Sequence, residues 1–347
     1  MLPVPPDNPT DLPRPIVILG PTAGGKSDLA AQLAEHLGGQ VLGADSMQVY
    51  KHLDAGTAKP PPQLRQRVPH HLVDLVEPTE RFTVHDWLNH ADATIAEVQS
   101  SGGTPVIVGG TNLYLKALLE GLFDGPGQDD AFRASLTALP DAELHQRLAA
   151  IDPAAAARIA PADRQRLTRA LEVHHLTGQP ISELQTQWAE AAAAQTEYRH
   201  RPILIGLRWD VEAINPRINL RVKAMFTPDK VDPALAAAVC IGGESLPDEV
   251  RRLVAEGRLV PGSQAAEALG YKQVLAALYP DQFPGAADRL ISNLDDAFER
   301  TKILTRRFAK QQRTWLKRFR GVRWIEGDVP SSEQRLSLAQ ETIRQDI

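Results

Sequence analysis

The sequence predicts an α/β fold, a parallel sheet flanked by helices, interrupted by an inserted all-helical domain. Three observations predict it. Short apolar runs alternate with amphipathic helical patterns through the first third of the chain. A glycine-rich loop ending in lysine follows the first apolar run, at a strand-to-helix junction. An alanine-rich stretch without strand-like runs then separates this part from a further apolar run, "RPILIGLRW", Arg201 to Trp209.

The opening "MLPVPPDNPTDLPRP" holds prolines and small polar residues, so residues 1–14 read as a flexible arm. Ile16 to Leu19 is a four-residue apolar run ended by glycine, as a buried parallel strand requires. Leu29, Leu33 and Leu37 recur every fourth residue with Ala30 and Ala34 beside them, which predicts a helix stopped by Gly38-Gly39. "QVLGADS" reads as a second strand ending at Asp45. Thr83 stands as N-cap to a helix whose apolar stripe is Val84, Trp87, Leu88, Ala91, Ile95 and Val98. "TPVIVGGT" is a third strand, and "NLYLKALLEG" opens another helix.

These patterns define a core of residues 15–122 and 200–325, with residues 123–199 as the insertion and 326–347 as a C-terminal tail. Within the insertion, helical patterns fall at Ala131–Leu139, Asp141–Ala150, Arg164–Leu176 and Ser182–Ala194. After the returning strand the remainder is mostly helical, and "TPDKVDPALAAAVCIGGESLPDE" reads as a loop-rich insert.

The 347 residues suffice for one large or two ordinary domains, and 43% apolar with 23% charged residues is globular usage rather than that of a disordered chain. No apolar run reaches the ~18 residues of a membrane helix. The single cysteine, Cys240, excludes an internal disulfide or a cysteine zinc cluster. With no secretory leader in view, the expected setting is cytoplasmic, without membrane contact, and the expected state is a monomer. A net charge of −5 argues against coating nucleic acid by bulk charge. Arg300 to Arg320, however, contains Arg300, Lys302, Arg306, Arg307, Lys310, Arg313, Lys317, Arg318 and Arg320 and no acidic residue. Either a polyanion docks there or the run is a solvated helix face.

Gly20, Pro21, Thr22, Ala23, Gly24, Gly25, Lys26 and Ser27 match the phosphate-loop pattern, with the strand before and helix after that it needs. Loop amides and the positive helix end surround an anion, Lys26 adds a point charge, and the Ser27 hydroxyl can ligate Mg²⁺. The fold is therefore P-loop NTPase-like, while the reaction stays open among phosphotransfer, ATP-driven work and group transfer. Where a kinase or ATPase places a metal-organising aspartate, the third strand ends in Gly109-Gly110-Thr111, adding backbone donors and a hydroxyl. Asp45 lies where open parallel sheets bind ligands, as a general base, a metal-linked group or a structural strand end. His70 and His71 are adjacent and lack a metal-ligand spacing, so they read as structural, near Asp74.

Seven segments together resemble the tRNA dimethylallyltransferase (tRNA isopentenyltransferase) family of the bacterial type: "GPTAGGKS", "ADSMQVYKHLDAGTAKP", "PHHLVD", "GGTNLYLKALLEGL", "DRQRLTRALEV", "ALGYKQ" and "TRRFAKQQRTW". The resemblance implies transfer of a dimethylallyl group from dimethylallyl diphosphate to N6 of an adenosine beside the tRNA anticodon, with Mg²⁺ as cofactor. It implies that the loop clamps a leaving diphosphate, that Asp45 is the base, and that Thr111 and Arg221 are catalytic. It assigns tRNA contacts to Ser46, Met47 and Gln48, with Gln48 reading an adenine edge through both amide atoms. Gln165, Arg166, Leu167, Thr168 and Arg169 follow, with Arg166 and Arg169 on one helix face, and Arg306 and Lys310 from the basic segment, now read as phosphate-binding. The chain departs from the family at Gln311, where a second basic residue is usual, in the lead-in "SQAAEALGYK", and in the insert between Met225 and Pro247. A nucleotide or metabolite kinase is the rival reading, and a non-catalytic RNA-binding protein a third.

Overall fold

The computed structural model describes residues 12–122, 125–186 and 196–346. Residues 1–11 of the expected arm and residues 187–194 of the last predicted insertion helix lie outside the described residues. The chain divides into two compact units, Glu120–Arg199 and the remainder.

The larger unit is built on a six-stranded sheet: β1 (Ile16–Leu19), β2 (Gln40–Gly43), β3 (His70–His71), β4 (Pro105–Val108), β5 (Ile203–Arg208) and β6 (Arg323–Glu326). The order is β3-β2-β4-β1-β5-β6, and every neighbouring pair is parallel. β1 and β4 are buried at every residue, which is why they are continuous apolar runs rather than alternating ones. In the first third of the chain α1 (Lys26–Leu37), α2 (Pro62–Arg67), α3 (Val84–Ser100) and α4 (Asn112–Glu120) connect the strands. α1 stops at Gly38 in a left-handed conformation. α3 starts at the expected N-cap Thr83, and Asp86 completes a capping box: the Thr83 side chain accepts from Asp86 N while Asp86 accepts from Thr83 N.

β2 ends two residues before the expected Asp45. The Asp45 carboxylate accepts from Met47 N at 2.9 Å, and this local turn draws the chain out of the ladder. β3 was absent from the sequence reading because two histidines make neither an apolar run nor an alternation. Their pairing with Val41 and Leu42 is tertiary information.

In the smaller unit α5 (Asp130–Leu136), α6 (Asp141–Ile151), α7 (Pro153–Arg158), α8 (Arg164–Thr177) and α9 (181–186) enclose a core that includes Leu144, Leu148, Ala155, Leu167, Ala170 and Leu171. Leu167 is therefore a core residue, which corrects its assignment to RNA. Arg169 is half-buried and bonded within the unit. It donates to Glu172 Oε2 at 2.6 Å and to the carbonyls of Gly127 and Pro126. Its side chain thus turns from the exposed Arg166 to the buried Glu172, because an unpaired carboxylate in that core costs far more than the solvation of one guanidinium. Gln165 is exposed and Thr168 half-buried.

After β5, α10 (Val211–Phe226), α11 (Pro233–Val239), α12 (Leu246–Ala255), α13 (Tyr271–Leu278) and α14 (Leu294–Leu316) follow. The loop-rich insert contains α11, started by Asp232, whose carboxylate accepts from Ala234 N and Leu235 N. Residues 326–347 are not a tail. The end of β6 leads into α15 (Ser332–Arg344), capped by Ser331, which buries Ala339 and Ile343. Its sparse apolar residues hid this helix from the sequence reading. Among the described residues no helix is long and apolar enough to cross a membrane.

Glu172 is fully buried and takes hydrogen bonds from Arg133, Arg169 and Asp129 N. Burial pushes its carboxyl up, but these donors outweigh that and hold it at about 2. Its share of stability is therefore complete above the unfolded value near 4.3 and is lost as pH falls towards 2. Glu172→Gln should destabilise the insertion by about 3 kcal/mol near neutrality. In melts from about pH 7 to pH 2 the gap to wild type should close below about pH 4.5.

Candidate active site

β1 delivers Gly20 to the carboxyl edge of the sheet, and Gly20–Gly25 turns the chain into α1. The turn requires Ala23 and Gly25 at positive φ, 60° and 82°. Gly25 cannot be replaced cheaply, because its φ lies in the left-handed region that a Cβ disfavours. Among the described residues the amides of Ala23, Gly25, Lys26 and Ser27 have no protein acceptor. Those of Thr22 and Gly24 do: Thr22 N donates to Gln312 Oε1 at 2.8 Å and Gly24 N to Pro21 O at 3.2 Å. The expected cradle is thus four amides plus Lys26, while Thr22 and Gly24 shape the loop.

Lys26 is 8% exposed and donates to Pro21 O at 2.8 Å. Burial, then the charge of Arg221, pulls its ammonium down to about 7, with Asp45 acting the other way. Arg221, from α10, donates through Nη1 to Thr22 Oγ1 at 3.1 Å and through Nη2 to Thr57 O at 3.3 Å. Two cations so desolvated, with loop amides unpaired, make a site for a multiply charged anion.

Asp45 Oδ1 accepts from Met47 N at 2.9 Å and Gln48 N at 3.4 Å, and Oδ2 has no partner among the described residues. Thr111 Oγ1 accepts from Ser46 N at 2.9 Å and donates to Ser46 Oγ at 3.2 Å, fixing the hydroxyl beside the Asp45 turn. Gln48 Nε2 donates to Thr57 O at 3.1 Å and Ala58 O at 3.3 Å. Its amide nitrogen is occupied, so the expected two-atom contact to an adenine edge is unavailable in this arrangement.

Two cavities meet here. One of about 80 Å³ is lined by Thr22, Lys26, Ser27, Asp45, His70 and Arg221, among others. The second, about 260 Å³, shares Thr22, Asp45 and Arg221 and adds Thr111 and the apolar Met47, Val222, Met225 and Leu269. His70, taken as structural from its spacing, borders the first with its Nδ1 held by Val68 O at 2.7 Å.

Ser27 is exposed and borders the same cavity as Asp45, while no trio of His, Cys, Asp or Glu capable of holding a metal occurs among the described residues. A hydroxyl and one carboxylate suit a hard divalent cation that takes its other ligands from phosphate and water.

The sequence reading missed Gln312. Its Nε2 donates to Gly110 O at 2.8 Å, so one amide ties the phosphate loop to the β4–α4 turn. The signal was there: Thr301, Thr305, Ala309, Gln312 and Leu316 form the buried stripe of α14, and a glutamine in such a stripe needs partners. Trp209 Nε1 to Gly24 O and Arg217 Nε to Ala23 O brace the loop as well. Nothing local in the sequence marks them.

Of the basic segment, Arg300 and Lys302 pair with Asp288 and Glu299, Arg306 donates to Asn219 Oδ1 and Arg313 to Trp209 O. Arg306, expected at an RNA surface, is half-buried, whereas Arg307, Lys310 and Lys317 are exposed.

Residues 48–319 match the model of the IPP transferase family, and residues 14–69 match that of isopentenyl transferase. A tRNA dimethylallyltransferase of Geobacter sulfurreducens is 42% identical over 315 residues, 90% of this chain and 91% of the relative. One from Anaeromyxobacter dehalogenans is 42% identical over 316 residues, covering 90% and 92%. The crystal structure of the tRNA isopentenylpyrophosphate transferase of Bacillus halodurans matches with a TM-score of 0.63 and 31% identity over 96% of both chains. A eukaryotic dimethylallyltransferase acting on tRNA, at 24% identity, 96% of this chain, 80% of its own and a TM-score of 0.70, shares the fold.

A bound anion should return the proton that burial and Arg221 draw from Lys26. Below about pH 7 the free protein already carries it; above, binding takes it up, and affinity falls as pH rises. Calorimetry with inorganic pyrophosphate at about pH 8, in buffers of different ionisation enthalpy, should show uptake approaching about one proton more than in Lys26→Met. The same protonation balance in both proteins would contradict this electrostatic picture.

Proposed function

The chain belongs to the IPP transferase family, and we propose that it transfers the dimethylallyl group of dimethylallyl diphosphate to N6 of the adenosine 3′ to the anticodon in tRNA. The products are N6-(dimethylallyl)adenosine and diphosphate. One observation carries the reading. The unpartnered Oδ2 belongs to Asp45, which borders both the phosphate-loop cavity and the larger, more apolar one beside Thr111.

The diphosphate sits on the amides of Ala23, Gly25, Lys26 and Ser27, with Lys26 and Arg221 countering the charge that grows as the allylic C–O bond breaks. Adenine N6 is a weak nucleophile because its lone pair is delocalised. As the N–C bond forms, the N6 proton passes to Asp45 Oδ2. Ser46 N and Thr111 hold each other beside that carboxylate, and Met47 N and Gln48 N keep Oδ1 occupied so that Oδ2 faces the acceptor. Met47, Val222, Met225 and Leu269 exclude water from the allylic group. Mg²⁺, held through the Ser27 hydroxyl, would supply further charge for the departing diphosphate.

The purine must leave its stack to reach this depth. For the rest of the tRNA, the exposed Gln165 and Arg166 on α8 and the exposed Arg307, Lys310 and Lys317 offer contacts. The rival phosphotransferase reading is not favoured by the family and leaves the basic segment without a purpose.

Incubation with labelled dimethylallyl diphosphate, Mg²⁺ and an unmodified anticodon stem-loop should place label in the RNA, whereas ATP turnover without labelling would support a kinase. Asp45→Asn should bind the stem-loop but lose roughly 10²- to 10⁴-fold in single-turnover rate; full rate in that variant would dismiss Asp45 as base. Neutralising Lys310 and Lys317 should make the dependence of log Kd on log salt shallower by roughly 1 to 2. An unchanged slope would leave both as ordinary surface.

A further inference from the structure

Glu249 on α12 is 1% exposed and lies outside the chemistry described above. Its carboxylate faces the turn before Thr57. Asp54 N reaches Oε1 and Oε2 at 3.1 and 3.2 Å, and Ala55 N reaches Oε2 at 2.9 Å. The Tyr271 hydroxyl, from α13, donates to Oε1 and accepts from Gly56 N at 3.2 Å. Three consecutive amides, 54 to 56, thus converge on one Glu–Tyr pair. The approach is close enough that a Cβ on Gly56 would lie 2.3 Å from Tyr271 Cε2.

The next carbonyls of the same turn face the reaction. Thr57 O accepts from Arg221 Nη2 and Gln48 Nε2, and Ala58 O accepts from Gln48 Nε2. Gly56 and Thr57 themselves border the cavity that holds Asp45, Thr111 and Arg221. Beyond them Lys59, fully buried, pairs with Asp54 at 3.0 Å and Asp74 at 2.6 Å, pinning the other end.

We propose that Glu249 is a positioning residue: with Tyr271 it clamps residues 54–56 by their backbone amides, and the carbonyl of Thr57 then sets where the Arg221 guanidinium points. A buried carboxylate is a costly way to hold a turn, and burial pushes this one up to about 7. An apolar residue would be cheaper but would orphan the two adjacent amides of Asp54 and Ala55, next to the cavity-lining Gly56. The backbone needs an acceptor with two oxygens at that point, and Tyr271 extends its reach by one residue.

The inference rests on Arg221 acting on the leaving diphosphate, so its test separates the two. Donor-saturated single-turnover rates are compared for wild type, Glu249→Gln, Arg221→Ala and the double variant, with melting temperatures alongside. Glu249→Gln should slow transfer by about 10-fold in the wild-type background and less than about 2-fold once Arg221 is gone, since a mispositioned guanidinium no longer matters there. Equal losses in both backgrounds would overturn the proposal and leave Glu249 a stability residue. Wild-type rate in Arg221→Ala would instead discard the reading of Arg221. Tyr271→Phe, which removes one hydroxyl, provides the same cycle should Glu249→Gln fail to fold. In that cycle too, equal losses with and without Arg221 would overturn the clamp.

Discussion

The constraint on which this molecule turns is a concentration of unbalanced positive charge at the end of β1. Four unpaired amides, the start of α1, a buried ammonium and a half-buried guanidinium share one small volume. Burial first and the charge of Arg221 second draw the Lys26 ammonium down to about 7, against the pull of Asp45. Such a site exists because the rest of the fold over-determines it. The fully buried β1 fixes the loop's entrance, and α1 fixes its exit. The loop between them, with Ala23 at positive φ, is held by side chains from outside it.

Those contacts come from distant parts of the chain. Gln312 joins Thr22 N to Gly110 O, Trp209 takes Gly24 O, and Arg217 takes Ala23 O. Gln312 engages a loop amide, while Trp209 and Arg217 engage loop carbonyls, whose oxygens would repel an anion if they turned toward it. Thr22 illustrates the division: its amide is committed to Gln312, while its hydroxyl takes Arg221. A leaving group departs with rising charge, and donors already oriented need not reorganise as that charge appears. Long-range bracing is thus part of the chemistry, although it is remote from it in sequence.

How much of this was legible in the sequence follows from how local each feature is. The strands β1, β4 and β5, the N-cap at Thr83 and the stop at Gly38 depend on neighbours within a few residues, and their patterns were readable. β3 and α15 were not, since a two-residue histidine strand and a helix with few apolar positions draw their stability from what they pack against. The site divides the same way. The loop, Asp45 and Thr111 lie in contiguous motifs, and their assignment to chemistry leaned on resemblance. Gln312 was overlooked beside Gln311, although only the former falls on the buried stripe of α14.

Leu167 shows where motif transfer goes astray. A helix carries a motif on all its faces, and carrying over five consecutive residues as RNA contacts ignores that roughly a third to a half of them must face the core. Leu167 does, and Arg169 is drawn to Glu172 by a carboxylate that has no water to turn to. Glu172 and Glu249 are then two solutions to one problem, a buried carboxylate. Glu172 is neutralised by two arginines and held near 2, so it serves as an ion-paired staple within the insertion. Glu249 receives amides and a phenol but no guanidinium, and burial prevails, leaving it near 7. Backbone donors can be satisfied without being neutralising. A carboxylate so placed gives geometric control of a turn at a cost in stability, and that exchange is expected where a cavity wall must hold a catalytic group in one orientation.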